Sequence, residues 1–187
     1  MVHPFSQLDY QAVKHLTSFV FAHPWAELVT YLAAQIAILV YPAVLYILWR
    51  KPEVHSHQHA ARKAVVLAIF GVVLVAAIKG LVGMFFLRDR PFVTHPDIMF
   101  MSFNIDPPSF PSGHELISMV IAASLYLSGF RKLGGWLILL AVLVGIGRIA
   151  AGVHYPTDVL GGAVIAWLVA WYLHREASTL KAYLPNN

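Results

Sequence analysis

The sequence predicts an all-α chain, a multi-pass transmembrane bundle of five to six helices. Three observations predict it. Of the 187 residues, 59% are hydrophobic and only 12% charged, with a mean hydropathy of +0.68. Apolar stretches of about 20 residues recur, the length a helix needs to cross a bilayer. The cations collect in short connections between those stretches. With no water in the hydrocarbon to satisfy backbone groups, such stretches form helices.

Residues 1–24 read as an N-terminal interfacial or additional helix. Phe5, Leu8, Ala12, Leu16, Phe19 and Val20 recur at helical spacing, and Gln7, Asp9, Lys14 and His15 fall between them. The opening MVHPFSQLDYQ lacks the order of basic, apolar and small residues that marks a cleavable signal peptide, so it reads as mature protein. Residues 25–187 form the transmembrane domain. Spans are expected near Trp25–Trp49, Ala64–Leu87, Ser112–Phe130, Leu133–Gly147 and Val159–Leu173. Pro42 interrupts the first and predicts a kink there.

If the spans alternate, Arg50, Lys51, Arg62, Lys63, Arg131, Lys132, Arg175 and Lys181 share one side, which the positive-inside rule makes the cytoplasm. The net charge of +4 comes from these loops and not from a basic stripe with interleaved aromatics, so no nucleic-acid partner is expected. Cysteine is absent, which excludes disulfides and thiolate metal sites. His55, His57 and His59 read as part of a solvated basic loop in preference to a metal tract.

The opposite, outer side receives LRDRPF (Leu87–Phe92), FPSGHE (Phe110–Glu115) and GRIAAGVHYPTD (Gly147–Asp158). One arginine at a span end is ordinarily a snorkelling anchor. Three converging segments rich in Arg, His, Ser and Asp point instead to a site. Arg90 and Arg148 carry planar donor forks matched to phosphate oxygens. Pro111 and Ser112 stand where a loop becomes a helix, so the amides of Ser112, Gly113 and His114 can face an anion. His154 can act as a nucleophile if its second ring nitrogen is held, and Asp158, four residues on, is the candidate holder. Pro156 and Thr157 look like a helix start, with Asp158 in the first turn. His114 is then available as general acid. Glu115 and Asp89 need no functional explanation. Phe85, Phe86, Phe92, Phe100, Phe103 and Phe110 read first as an interfacial aromatic belt, and Gly134, Gly135, Gly145, Gly161 and Gly162 as close helix contacts.

These segments resemble the three signature motifs of the type 2 phosphatidic acid phosphatase superfamily, KxxxxxxRP, PSGH and SRxxxxxHxxxD. PSGH is complete in Pro111–His114, and Arg148, His154 and Asp158 keep the third spacing. Two positions depart. The first-motif lysine position holds Gly83, leaving either Lys79, one helical turn deeper, or Arg88, from the loop, as the additional cation; Arg88 needs the shorter reach. Gly147 stands where the pattern has serine. The resemblance implies a metal-independent, cofactor-free phosphatase acting at the outer membrane face. Its substrate would be a lipid phosphate or pyrophosphate among the membrane lipids, with His154, His114 and Asp158 catalytic. Arg90, Arg148, Ser112, Gly113, and Arg88 or Lys79, would hold phosphate. The expected substrate is undecaprenyl pyrophosphate. Phosphatidylglycerol phosphate, phosphatidic acid and a lipid A phosphate are the alternatives within the same chemistry, and a non-catalytic lipid-binding or transport protein is the alternative outside it.

Overall fold

The computed structural model describes residues 4–50, 55–103 and 108–183. Among them are only helices and connections, with no strand. In order these are α1 (Pro4–Phe21), α2 (Pro24–Tyr31), α3 (Val40–Arg50), α4 (His55–Phe85), the single turn α5 (Pro91–Thr94), α6 (Gly113–Leu127), α7 (Arg131–Ala150) and α8 (Pro156–Tyr183).

Among the described residues, four stretches are long and apolar enough to cross a membrane: Pro24–Arg50, His59–Phe85, Arg131–Ala150 and Pro156–Thr179. The fifth expected span, α6, is shorter, about 22 Å at 1.5 Å per residue. It can be short because it is the centre of the bundle, enclosed by α4, α7 and α8. Leu116, Val120, Ala122, Ala123 and Leu125 are wholly buried on it, so α6 meets protein where the other spans meet lipid.

The expected Pro42 kink is broader than one residue. Between α2 and α3 the chain passes through a π turn (Leu32–Ile36) and a 3₁₀ turn (Ala37–Leu39) before resuming as α-helix. Proline removes the donor that the carbonyl four residues earlier would use, and Ile38 lies within the 3₁₀ stretch. The π turn has a separate use at the site.

Two span boundaries extend well past the sequence expectation. α4 begins at His55, not near Ala64, so the histidine-rich segment is its opening turns and not a loop; the side chains of His55 and His57 lie outside the described residues. α8 runs ten residues past Leu173. Hydropathy marks where a helix meets lipid and says nothing of where it ends in water.

α1 is not one of the four long apolar spans, and its buried face carries Asp9, Val13, Thr17 and Val20. It packs on α2, α7 and α8 at the end of the bundle where α8 starts. Lys14 pairs with Asp97 at 2.8 Å, and Tyr10 donates to the same carboxylate at 2.6 Å, tying α1 to the connection that follows α5.

Two neighbouring glycines on α7 have opposite surroundings. A Cβ on Gly134 would stand 2.6 Å from the backbone of Tyr126 on α6, whereas one on Gly135 would meet nothing within 4 Å. Gly134→Ala is therefore expected to cost about 1–3 kcal/mol by forcing α6 and α7 apart. Gly135→Ala should be neutral or stabilising by up to about 1 kcal/mol through helix propensity. Thermal unfolding of the two variants in the same detergent checks the contrast.

Candidate active site

The segment from Ala151 to Asp158 joins α7 to α8 and carries the densest chemistry. Gly152 adopts φ +75°, and a Cβ there would run into the Met99 carbonyl oxygen, so the sharp reversal requires glycine. Pro156 occupies the first position of α8 with φ preset for a helix. Asp158, two residues on, accepts from the Tyr155 amide at 2.9 Å, one half of a capping box.

Asp158 is fully buried, and both its oxygens are engaged. Oδ2 accepts from Ser109 Oγ at 2.6 Å and lies 3.5 Å from His154 Nδ1. Ser109 Oγ is itself 3.4 Å from the same ring nitrogen, so hydroxyl, carboxylate and imidazole form a close triangle. Oδ1 accepts from Arg88 Nη1 at 2.7 Å. The other ring nitrogen, His154 Nε2, faces Arg90 Nη1 at 3.2 Å. With Nδ1 on the carboxylate side, Nε2 keeps its lone pair on the side where the cations gather.

Arg90 caps α5. Its carbonyl accepts from the amides of Val93 and Thr94, while its guanidinium donates to Val153 O at 2.8 Å, which fixes it against the His154 turn. Arg148, on the last turn of α7, is anchored by the π turn. Nη1 lies 3.5 Å from Ala34 O and 3.3 Å from Gln35 Oε1, and the guanidinium rests over Phe103. The irregular turn thus brings its own backbone within reach of a cation from α7. His114, in the first turn of α6, lies close enough to Arg148, His154 and Arg90 to interact electrostatically with all three.

The PSGH turn behaves partly as expected. The Ser112 amide is committed to Asp158 O at 3.1 Å and so does not face a ligand, which corrects the expectation of three free amides. Gly113 and His114 remain as the first-turn donors of α6, beyond reach of intrahelical bonding. Ser112 Oγ and Arg148 Nε are buried and bond to none of the described residues. Glu115 points away from this cluster, into the close contact that Gly145 and Gly162 open between helices.

The two candidates for the additional cation separate clearly. A Cβ on Gly113 would lie 3.2 Å from Lys79 Cε and 3.5 Å from Cδ, so Lys79 extends along the PSGH glycine. Its methylenes thus run up beside the start of α6. Arg88 turns the other way. Its Nη1 donates to Asp158 and Thr157, its Nη2 donates to Asp9 at 2.7 Å, and its guanidinium lies 4.0 Å over the Tyr155 ring. Two carboxylates draw Arg88 behind Asp158, away from the position expected of it. The aromatic residues also divide, with Phe92 stacked on Phe100 at 4.1 Å and Phe86 beside Phe110 at 6.2 Å.

Residues 64–181, more than half of the chain, match the PAP2 superfamily. The chain belongs to the PAP2 superfamily. Over 177 residues it is 27% identical to the undecaprenyl-diphosphatase BcrC of Bacillus subtilis strain 168, covering 95% of this chain and 88% of that protein. The crystal structures of Aquifex aeolicus LpxE and of a Bacillus subtilis PAP2-type phosphatidylglycerolphosphate phosphatase each superpose with a TM-score of 0.65 at 24% identity. They cover 90% and 95% of this chain, and 95% and 88% of their own chains, and share its fold. The chain is a multi-pass membrane phosphatase of this superfamily.

Three site residues carried no local sequence signal: Ser109, Gln35 and Asp9. The family's missing serine does have a packing reason. A Cβ on Gly147 would stand 2.8 Å from Ala34 N and 3.0 Å from Ala33 Cβ, inside the π turn that holds Arg148. Introducing the family residue, Gly147→Ser, should therefore lower phosphatase activity and cost about 1–3 kcal/mol. Phosphate release and thermal unfolding measured side by side check this, and a more active variant would refute the packing account.

Proposed function

We propose that this PAP2 phosphatase hydrolyses undecaprenyl pyrophosphate to undecaprenyl phosphate at the outer face of the cell membrane, through a phosphohistidine on His154 and without a metal. The observation that carries the mechanism is the asymmetry of the His154 ring, with Nδ1 toward Asp158 and Ser109 and Nε2 toward Arg90.

In the first step Nε2 attacks the terminal phosphorus, a P–N bond forms, and the P–O bond to the lipid phosphate breaks. His114 supplies the proton to the departing oxygen. Asp158 holds the Nδ1 proton and stabilises the charge that appears on the ring. Arg90, Arg148, Lys79, the Ser112 hydroxyl and the Gly113 amide hold the phosphoryl oxygens, so the charge of the transition state is met by fixed donors. In the second step water attacks the phosphohistidine, His114 takes its proton, the P–N bond breaks and inorganic phosphate leaves.

Substrate and orientation rest on different support. The alignment with the undecaprenyl-diphosphatase BcrC spans nearly the whole chain and supports a prenyl pyrophosphate. Arg62, Lys63, Arg131, Lys132 and Arg175 lie toward the ends of α4, α7 and α8 opposite the site, which supports a cytoplasmic assignment for that side and an outward-facing site.

Burial holds the His154 imidazole well below its ordinary value of 6.5, at about 4. The Asp158 hydrogen bond opposes this, while Arg90 and Arg148 add to it. Protonation would block the nucleophile, so the loss of kcat/KM from this residue is expected as pH falls through about 4, not through 6.5. A pH–rate profile with an acid limb governed by His154 near 6.5 would contradict that environment.

The deciding assay is phosphate release by purified protein in detergent with chelator present, offering undecaprenyl pyrophosphate and phosphatidylglycerol phosphate in parallel. Release from the prenyl substrate, reduced at least about a thousandfold by His154→Ala, is expected. Preference for the glycerolipid would overturn the substrate, and dependence on added metal would overturn the mechanism.

A further inference from the structure

Asp9 is a buried carboxylate on the core face of α1, a helix outside the residues matched to the superfamily. It is only 4% exposed, and both oxygens are occupied. Oδ1 accepts from the Thr157 amide at 3.1 Å. Oδ2 accepts from the Thr157 hydroxyl and from Arg88 Nη2 at 2.7 Å. The same guanidinium donates from Nη1 to Asp158 Oδ1 at 2.7 Å. Arg88 thus lies between two carboxylates, one on α1 and one beside the nucleophile.

The charges decide what this arrangement does. When His154 attacks phosphorus its ring becomes cationic, and Asp158 stabilises it only insofar as its own charge is uncompensated. An Arg88 paired with Asp158 alone would cancel that charge. A second carboxylate on the far side of Arg88 offsets the guanidinium and leaves the cluster one negative charge in excess. A purely structural clasp for α1 is the simpler reading, but the exposed Lys14–Asp97 pair and the apolar contacts of Val13 and Val20 already dock that helix. A buried ion pair usually adds little net stability over apolar packing.

We propose that Asp9 is a positioning residue for the phosphohistidine chemistry, balancing Arg88 so that Asp158 keeps its charge for His154. The role rests on the reading of His154 as nucleophile. Asp9→Asn is nearly isosteric and leaves Arg88 uncompensated beside Asp158. It is expected to lower kcat about tenfold or more while KM moves less than about threefold, since the substrate side of His154 is untouched.

The discriminating variant is the double substitution Asp9→Asn/Arg88→Gln, which removes the cation together with its counter-charge. Charge balance predicts that this protein is several-fold faster than Asp9→Asn alone. A structural clasp predicts that it is slower still. Asp97→Asn, which breaks only the exposed pair, should keep kcat within about twofold and serves as the docking control.

Kinetics on protein verified as folded by its detergent melting profile would read all four. Should Asp9→Asn not fold, the double variant, which removes the guanidinium together with its counter-charge and leaves Asp158 held by the Ser109 hydroxyl and the Tyr155 amide, is compared with wild type and is expected within about tenfold of its kcat. Wild-type turnover by Asp9→Asn, a double variant no faster than the single, or an unfolded single with a double variant more than about tenfold below wild type would overturn the role of Asp9 while leaving His154 intact. No phosphate release by wild type from any lipid phosphate would overturn the functional reading, and this role with it.

Discussion

Asp158 is the constraint on which the rest of the structure turns. A carboxylate taken wholly out of water costs several kcal/mol unless its lone pairs are met. This one is met by Tyr155, Ser109 and Arg88, with His154 alongside. Those partners come from the start of α8, the loop before α6 and the loop after α4. The three segments cannot separate without stranding the charge, so the interactions that make the fold tolerable also orient the His154 ring. The dipole of α8 adds to this, because the carboxylate occupies its first turn.

The second constraint is the hold on Arg148. A guanidinium at the end of a span needs acceptors, and a regular helix offers none from its middle, since every interior carbonyl is already bonded. The π turn ahead of Pro42 solves this by presenting Ala34 O and Gln35 to Arg148. Such close approach requires that α7 carry no side chain at Gly147. The proline, the irregular turn, the glycine and the arginine therefore form one device, although they are distributed between the first span and the fourth.

Much of this was legible in the sequence, and the reasons differ by residue. Spans follow from hydropathy alone, and the start of α8 follows from Pro156, Thr157 and Asp158, because helix capping is local. The spacing of Arg148, His154 and Asp158 is local too. Asp9 was not legible, because the amphipathic pattern of α1 assigns it among the polar positions, while the structure buries it in line with Val13 and Thr17. Its partners lie 79 and 148 residues away, and no periodicity reports a buried ion pair of that range. Ser109 was missed for a related reason, since a serine two residues ahead of a recognised motif looks like any loop serine. The early start of α4 at His55 was missed because polar turns in water carry no hydropathic signal.

The exchange of cation positions along α4 shows how the site tolerates a departure from its family's pattern. At Gly83, where the pattern has lysine, a Cβ would stand 3.1 Å from Pro108 Cγ, so the loop leading into Ser109 lies too close for a side chain there. One turn deeper, Lys79 climbs along Gly113, and that glycine is what gives its methylenes a path. The span thus lacks a cation at its mouth and carries one within, alongside the PSGH glycine. The approach of Pro108 that excludes the lysine also brings Ser109 against Asp158. Moving the lysine back would press on the loop that supplies that hydroxyl, so Gly83, Lys79 and Ser109 are best understood as one adjustment and not as three separate departures.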